Sequence, residues 1–150
     1  MAIRAPGLSA TAFQKLHQDP VAAFPPRRFL AQTLGDVAKR AGQKKERIAA
    51  LMDQFALRSE LLTRRPADVS GGELQRLSIL RLMLVKPRFI FADEPTSRLD
   101  PVTQKQVIDL LHDLARDEGT AILLVSHDPA LIRHTSDSFL DWAALRALAA

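Results

Sequence analysis

The chain has 150 residues, of which 47% are hydrophobic and 25% are charged, a balance that suits one soluble globular domain with a substantial core. It contains no cysteine, which excludes disulfides and cysteine-ligated metal sites. No apolar run approaches the roughly 20 residues of a membrane-spanning helix, and the first segment, MAIRAPGLSA, lacks the apolar stretch of a signal peptide. A cytoplasmic protein is therefore expected.

The formal net charge is +4, and basic pairs such as Arg64–Arg65 would suit a nucleic acid or an anionic membrane surface. However, acidic residues are interspersed among the basic ones, tyrosine is absent and there is a single tryptophan. Aromatic platforms on which bases could stack are therefore scarce. We interpret the basic pairs as solvated surface and expect no specific nucleic-acid partner.

The first half of the chain predicts a short strand followed by helices. Residues 12–18 (AFQKLHQ) have the pattern of a strand that ends at Asp19–Pro20, and the proline-rich VAAFPPRR follows as a connection. From about residue 30 to residue 63, apolar residues recur at helical spacing, with Ile48, Leu51, Met52 and Phe55 on one face. This part of the chain is expected to be helical.

The second half alternates between strands and helices. RFIFADE (88–94) and AILLVSHD (121–128) predict strands, while residues 101–119 and PALIRHTSD (129–137) predict helices. Gly119 stands where a helix C-terminus favours glycine. Apolar strands that alternate with helices imply an α/β fold with a parallel sheet.

Two adjacent glycines begin a predicted helix in the stretch VSGGELQR, and Leu74, Leu77, Leu80 and Leu84 follow them at helical spacing. Ser70 and Glu73 fit a capping box, in which each side chain satisfies a free N–H of the first helical turn. A capping box does not explain Gly71 and Gly72, since almost any residue at those two positions would serve a cap. Backbone without side chains at a helix N-terminus permits the close approach of an anion such as phosphate.

Polar residues follow both later strands, at the edge where open parallel sheets bind ligands. After the first of these strands, one carboxylate of Asp93–Glu94 can hold Mg²⁺ through water and the other can orient or deprotonate a nucleophilic water. Taken alone, this pair is better explained as turn-forming acids before Pro95. After the second strand comes His127, which as a lone histidine is more often an exposed loop residue. Asp100 and Asp128, each followed by proline, have a sufficient explanation as helix caps.

These motifs occur in one order: Q-D-P, S-G-G-E-L-Q-R, a strand ending D-E-P, S-R-L-D, and a strand ending S-H-D. In that order the chain resembles the ATP-binding subunits of ABC transporters, over roughly residues 12–142. The tract HQDPVAAFPPRR looks most like the dipeptide, oligopeptide and nickel importer branch. That branch usually has N-P-R a few residues after Q-D-P, and this chain departs from it at Phe24–Pro25–Pro26–Arg27.

The resemblance implies roles for the first group of matching positions. Gln18 would be the glutamine-loop residue, which touches Mg²⁺ or water and senses the membrane subunit. Ser70, Gly71, Gly72 and Glu73 would form the signature, which in this family grips the γ-phosphate of ATP bound to the opposite subunit of a dimer. The two glycines would then clear space for a nucleotide held by another chain.

The resemblance also implies roles for the residues that follow the strands. Asp93 would support Mg²⁺, Glu94 would be the general base, and His127 would be the switch residue that contacts the γ-phosphate. Asp100 would end the loop that contacts the second subunit, in which Arg98 replaces the more usual alanine.

The 150 residues contain no phosphate-binding loop of the form G-x-x-x-x-G-K-[S/T], whose backbone N–H groups and lysine cradle phosphates. None of the six glycines begins this motif. The resemblance therefore implies the second half of an ABC ATPase domain, starting just before the glutamine loop, and we expect the isolated chain to be catalytically weak or inactive.

The expected architecture is an incomplete P-loop NTPase core of three layers, with a parallel sheet and a helical signature subdomain. Its predicted parts are a glutamine-loop strand (12–20), a helical subdomain (28–86), a catalytic core (87–142) and a C-terminal tail (143–150). In the family the strands before Gln18, Asp93 and His127 are neighbours. Without the phosphate-loop strand, the edge of residues 120–126 would be left unpaired.

The resemblance implies ATP and Mg²⁺ as ligands, and ATP hydrolysis that drives the import of a solute, with peptides or nickel expected. It implies transmembrane permease subunits and a second ATPase subunit as partners, with the protein on the inner face of the cell membrane. Two alternatives stay open. One is a non-catalytic module that lends its signature to the ATP of a partner, and the other is a nucleic-acid-linked ABC ATPase.

Overall fold

Three parallel strands form the frame on which the candidate residues are placed. In the computed structural model, which describes residues 11–141 and 144, they are β1 (Phe13–Leu16), β2 (Phe89–Asp93) and β3 (Ala121–Val125). The strand order is β1-β2-β3, with Phe13 opposite Phe89 and Phe89 opposite Ala121. The predicted parallel sheet is confirmed, although each strand is shorter than its predicted segment because the polar residues that follow it form turns.

Helices make up most of the chain between and after the strands. The described residues contain α1 (Leu30–Arg40), α2 (Glu46–Gln54), α3 (Gly71–Val85), α4 (Pro101–Glu118) and α5 (Pro129–Thr135). Short 3₁₀ helices lie at Pro20–Ala23, Ser59–Thr63 and Pro66–Asp68. The predicted tail (143–150) lies outside the described residues, apart from residue 144.

Helix α4 begins and ends as the sequence predicts. The Asp100 carboxylate accepts hydrogen bonds from the backbone N–H groups of Val102 and Thr103, and Pro101 occupies the first turn. At the other end Gly119 adopts φ +65°, in the left-handed region that glycine occupies without steric cost. Both ends of α4, which forms the crossover from β2 to β3, are therefore fixed by residues that cap or turn.

Helix α3 is the central helix of the core. It is buried on nearly every side, with Leu74, Leu77, Leu80 and Leu84 at most 1% exposed, and it contacts α1, α2, α4 and β1. A helix that is apolar all round belongs inside the protein, and truncating one of these leucines to alanine would cost about 2–5 kcal/mol. One continuous apolar cluster joins the helical region to the sheet through α3.

The start of α3 gives Gly72 a structural role. A Cβ atom at Gly72 would lie 2.6 Å from Thr103 Cγ2 on α4, whereas a Cβ atom at Gly71 would meet nothing within 4 Å. Thr103 is held in place because its hydroxyl donates to the Asp100 carboxylate over 2.6 Å. Gly72 therefore has a packing role that the capping box does not require, because α3 and α4 approach closely there.

One face of the sheet is covered and the other is open among the described residues. Leu16, Ile90 and Ala92 point to the covered side and are buried. On the opposite face, Phe13 and Leu123 are 59% and 49% exposed. Along β3 no second strand pairs on the outer side within the described part of the chain. Exposed apolar surface beside an unpaired edge favours association with another polypeptide.

We expect Gly72→Ala to lower the free energy of unfolding by about 1–3 kcal/mol, since Thr103 can move aside only by breaking its bond to Asp100. Gly71→Ala is the matched control and should change it by about 0.5 kcal/mol or less. Urea denaturation followed by circular dichroism measures both. Thr103→Ser removes the methyl group, so it should restore most of the loss in the double variant. A Gly72→Ala variant as stable as the parent would contradict this contact.

We expect the 150-residue chain to self-associate through the open face, and Leu123→Thr to weaken that association about tenfold or more by removing apolar surface while keeping strand propensity. Sedimentation velocity over a range of concentrations measures the effect. Val102→Thr is the matched control, because Val102 is 69% exposed but lies at the start of α4. Equal effects of the two substitutions would show that the sheet face is not the contact surface.

Candidate functional site

The candidate site lies at the end of the sheet where the carboxyl ends of the strands meet. Gln18 follows β1, Glu94 follows β2 directly, and His127 follows β3. Because all three strands are parallel, their carboxyl ends meet at the same edge. The topology therefore brings together three residues that are separated by up to 109 positions in the chain.

Glu94 has a strained backbone and a largely buried carboxylate. Its φ is +48°, in the left-handed region, which costs a residue other than glycine about 1–3 kcal/mol. Its backbone N–H donates to the Val125 carbonyl over 2.9 Å, which ties the residue to the end of β3. The side chain is 14% exposed, and its Oε1 atom is buried and accepts no hydrogen bond within the described residues. A buried acceptor of this kind is ready to receive a donor such as a water molecule.

His127 faces Glu94 from the neighbouring strand. Its Nε2 atom lies 3.6 Å from Glu94 Oε1, and its side chain is 98% exposed. The turn beneath the ring is fixed, because the Asp128 N–H donates to Ser126 Oγ and the Asp128 carboxylate caps α5. The ring is therefore anchored at its backbone and free at its outer side, where it can meet both Glu94 and a molecule in solvent.

Asp93 points away from Glu94, on the open face of the sheet. Its Oδ2 atom lies 3.2 Å from Lys15 Nζ, and the same ammonium lies 5.4 Å from the centre of the Phe91 ring. The two consecutive carboxylates have different surroundings, as the sequence predicts. Lys15 was not anticipated, although its place two residues after Phe13 on β1 puts it on the same face as Asp93.

Gln18 reaches the Glu94 turn through Ser97. The Gln18 amide donates to Ser97 Oγ over 3.1 Å, and the Ser97 hydroxyl donates to the Glu94 carbonyl over 3.2 Å. Ser97 lies in the turn that follows β2, where a small hydroxyl residue is ordinary in any sequence. Sequence reasoning missed it because only the folded chain brings Gln18 beside it.

The signature residues form the predicted capping box. The Glu73 N–H donates to Ser70 Oγ over 3.4 Å, and the Ser70 N–H donates to Glu73 Oε2 over 3.3 Å. A further hydrogen bond from the Ser70 hydroxyl to this carboxylate holds the pKa of Glu73 below its usual range, against the opposing effect of burial. Within the described part of the chain, no hydrogen bond or ion pair joins Ser70 or Glu73 to Glu94 or His127.

Helix α3 nevertheless reaches the Glu94 turn through a residue that sequence reasoning missed. Gln75 is 1% exposed, and its Nε2 atom donates to the Pro95 carbonyl over 2.9 Å. Gly71, Gln18 and Pro95 line one cavity of about 280 Å³ between the helical region and the sheet. Residues of the signature and of the glutamine loop therefore line the same cavity.

Asp100 is fully used as a helix cap. Its carboxylate accepts from two backbone N–H groups and from the Thr103 hydroxyl, whose hydrogen bond is the largest cause that lowers the pKa of Asp100. A direct ligand contact is not needed to explain this residue. Its assignment to a loop that contacts a second subunit stays a prediction.

Few side chains of the described residues are placed together as possible ligands of a divalent cation. No group of three or more histidine or acidic side chains that could hold a metal is present among the described residues. Mg²⁺ is commonly held through one or two protein ligands together with water and substrate phosphates. Asp93 and the Gln18 amide fit that pattern, provided that the cation replaces Lys15 at the Asp93 carboxylate.

Comparisons with known proteins address the family. A sequence profile for the family described as "ABC transporter" matches residues 8–97. The oligopeptide transport ATP-binding protein OppF of Haemophilus influenzae is 35% identical over 133 residues, which cover 85% of this chain and 40% of the relative. OppF of Bacillus subtilis is 38% identical over 130 residues (83% and 43%). The di/tripeptide transport ATP-binding protein DppF of Pseudomonas aeruginosa is 36% identical over 132 residues (85% and 41%).

Solved structures agree with the fold. A dimeric ATP-binding cassette in a post-hydrolysis state, bound to ADP and Pi, is similar with a TM-score of 0.66 at 22% identity, over 82% of this chain and 55% of that one. An ATP-binding subunit of an ABC transporter gives a TM-score of 0.70 at 24% identity, over 87% and 54%. The chain spans about two fifths of the length of the peptide transport ATP-binding proteins OppF and DppF. Together, the profile match over residues 8–97 and the α/β fold place this chain in the ABC transporter family.

Proposed function

We propose that this chain is part of an ATPase subunit that couples ATP hydrolysis to the import of peptides. The observation that carries the proposal is the Glu94 carboxylate, which has a buried oxygen without a hydrogen bond, 3.6 Å from the His127 ring. A carboxylate held at the carboxyl end of a parallel sheet can accept a proton from a water molecule that attacks phosphate.

In this proposal the residues divide the work. Glu94 orients and deprotonates the attacking water, while His127 contacts the γ-phosphate from its exposed side. Ser70, Gly71, Gly72 and Glu73 face the ATP of a second subunit rather than that of their own. This agrees with the absence of a hydrogen bond or ion pair from Ser70 or Glu73 to Glu94 or His127 within the described residues. The phosphate-binding loop is supplied from outside the 150 residues, which contain no such motif.

The proposed place of Mg²⁺ is at Asp93 and Gln18. When bound, the cation would neutralise part of the charge that develops on the phosphate oxygens. The chain's own contribution is the Asp93 carboxylate, which Lys15 neutralises at 3.2 Å, and the Gln18 amide, which Ser97 holds at 3.1 Å. Both contacts are exposed and can be exchanged for others.

The names of the relatives support peptides as the solute. They are described as oligopeptide and di/tripeptide transport proteins. Nickel, the other expected solute, has no support from the relatives described above. We therefore propose the peptide class and leave its length unspecified.

The proposed membrane partner contacts the helical region. A cavity of about 620 Å³ opens between α1, α2 and the 3₁₀ helix Ser59–Thr63, with Ile48, Met52 and Leu62 among its apolar lining residues. The described residues contain no helix long and apolar enough to cross a membrane. We propose that a permease subunit docks here and holds the ATPase at the inner face of the membrane.

We expect Glu94→Gln to reduce ATP turnover by about 10²–10⁴-fold while leaving ATP binding within about twofold, because the amide keeps the size of the side chain but cannot take a proton. The assay uses the chain joined to the segment of a peptide-importer relative that carries the phosphate-binding loop. The chain alone and Glu46→Gln, an exposed acid in the first turn of α2, are the controls. An assembly that hydrolyses ATP equally well with Glu94→Gln would remove Glu94 as the base.

We expect Gly71→Leu to abolish ATP-dependent pairing of two ATPase subunits, since a Leu side chain would fill the space that a nucleotide phosphate needs. The backbone at Gly71 has room for a Cβ atom, since nothing lies within 4 Å of it. Gel filtration of the joined assembly with Glu94→Gln and ATP measures pairing, with Gly35→Leu as a control at another uncrowded glycine. Unchanged pairing would contradict the signature role. Pairing with a second ATPase but no turnover by this chain's own site would favour a signature-donating module.

A further inference from the structure

The strained conformation of Glu94 needs a physical explanation. Its φ of +48° is one that residues other than glycine rarely adopt, so the surrounding structure has to hold it. The N–H bond to the Val125 carbonyl fixes only the side of the residue that faces β3. The following peptide units must be held by other groups.

Ser97 holds the Glu94 carbonyl. Its backbone N–H lies 3.4 Å from that oxygen and its hydroxyl donates to it over 3.2 Å. The hydroxyl has one proton, and its oxygen at the same time accepts from the Gln18 amide over 3.1 Å. Because Gln18 occupies the acceptor side of the hydroxyl, the proton is directed towards Glu94. A change at the glutamine loop therefore reaches the Glu94 backbone through one side chain.

Gln75 holds the next carbonyl along the chain. Its amide donates to the Pro95 carbonyl over 2.9 Å in a fully buried position, and its own Oε1 atom is buried without a partner among the described residues. A buried amide with one unsatisfied oxygen is retained against a cost, which an apolar residue of the same size would avoid. The contact it makes is the direct link between α3 and the turn of Glu94.

We propose that Ser97 and Gln75 are positioning residues that keep Glu94 left-handed, so that the glutamine loop and the signature helix both set the place of its carboxylate. The catalytic meaning of this inference rests on the proposed function, in which Glu94 is the base. The structural claim, that these two residues hold the backbone of Glu94, does not depend on the proposed function. Movement of α3 relative to the sheet pulls on Pro95 through Gln75, and release of Gln18 frees the Ser97 hydroxyl to turn away from Glu94.

The structural part is tested by NMR on the labelled 150-residue chain. The three-bond coupling between the amide and α protons of Glu94, and its Cα shift, both depend on φ. We expect Ser97→Ala and Gln75→Met to move both values out of the left-handed range or to broaden the signal, and Ser97→Thr, which keeps the hydroxyl, to preserve them. Ser97 is exposed and methionine matches the size of glutamine, so both variants should fold.

Two substitutions are matched controls for these variants. Thr63→Ala removes a hydroxyl that donates to the carbonyl three residues earlier, the same arrangement as in Ser97, but far from the site. Ser78→Ala removes a buried hydrogen bond from α3 that does not reach the Glu94 turn. Neither should alter the Glu94 signals. Unchanged Glu94 values in both Ser97→Ala and Gln75→Met, or equal changes in the controls, would overturn the inference.

The catalytic part is tested in the joined assembly. We expect Ser97→Ala and Gln75→Met to lower kcat by about 10–100-fold with KM for ATP within about twofold, and Ser97→Thr to restore most of kcat. Altered Glu94 signals with full turnover would overturn the positioning role. If the parent assembly has no turnover, the proposed function fails, and the NMR comparison alone decides whether these two residues hold Glu94.

Discussion

The parallel pairing of three short strands is the constraint on which the site depends. Each pairing aligns the carboxyl ends of two strands. Gln18, Glu94 and His127 therefore lie at the same end of the sheet, although they come from distant parts of the chain. An antiparallel pairing of any strand would send its polar residue to the opposite edge. The long crossovers that parallel strands require are supplied by the helices, and these helices cover only one face among the described residues.

Helix α3 links this sheet to the rest of the chain. It is buried against helices on several sides and against β1, and its first turn carries the signature. One residue of that helix, Gln75, reaches across to the turn of Glu94, while another, Gly72, permits the close approach of α4 at Thr103. The same helix therefore serves as core and as mechanical connection, which makes its orientation relevant to both stability and chemistry.

Patterns that are local in sequence predicted local structure well. Alternation of strands and helices indicated the parallel sheet, S-x-x-E indicated the capping box, and Asp100 and Gly119 marked the ends of α4. Within the site, the edge that holds Glu94 and His127 could also be predicted, because carboxyl ends of parallel strands lie together. Strand lengths were overestimated, since periodicity does not show where pairing stops and a turn begins.

Contacts between distant residues were beyond prediction. The Gly72–Thr103 approach depends on how two helices cross, and the Gln18–Ser97 bond spans 79 positions. A serine in a turn and a glutamine in a helix carry no signal of their own, because both are ordinary residues there. The left-handed backbone of Glu94 was equally hidden, since glutamate does not favour it and only surrounding hydrogen bonds hold it.

The ion pair of Lys15 and Asp93 has a consequence for how a cation would arrive. The carboxylate is already neutralised by an ammonium 3.2 Å away, so an approaching divalent ion meets a neutral pair rather than a free negative charge. Binding there is an exchange of one cation for another, with Lys15 released towards solvent. The Lys15–Asp93 pair itself therefore offers little net attraction, and the phosphates that accompany the ion would have to supply most of it.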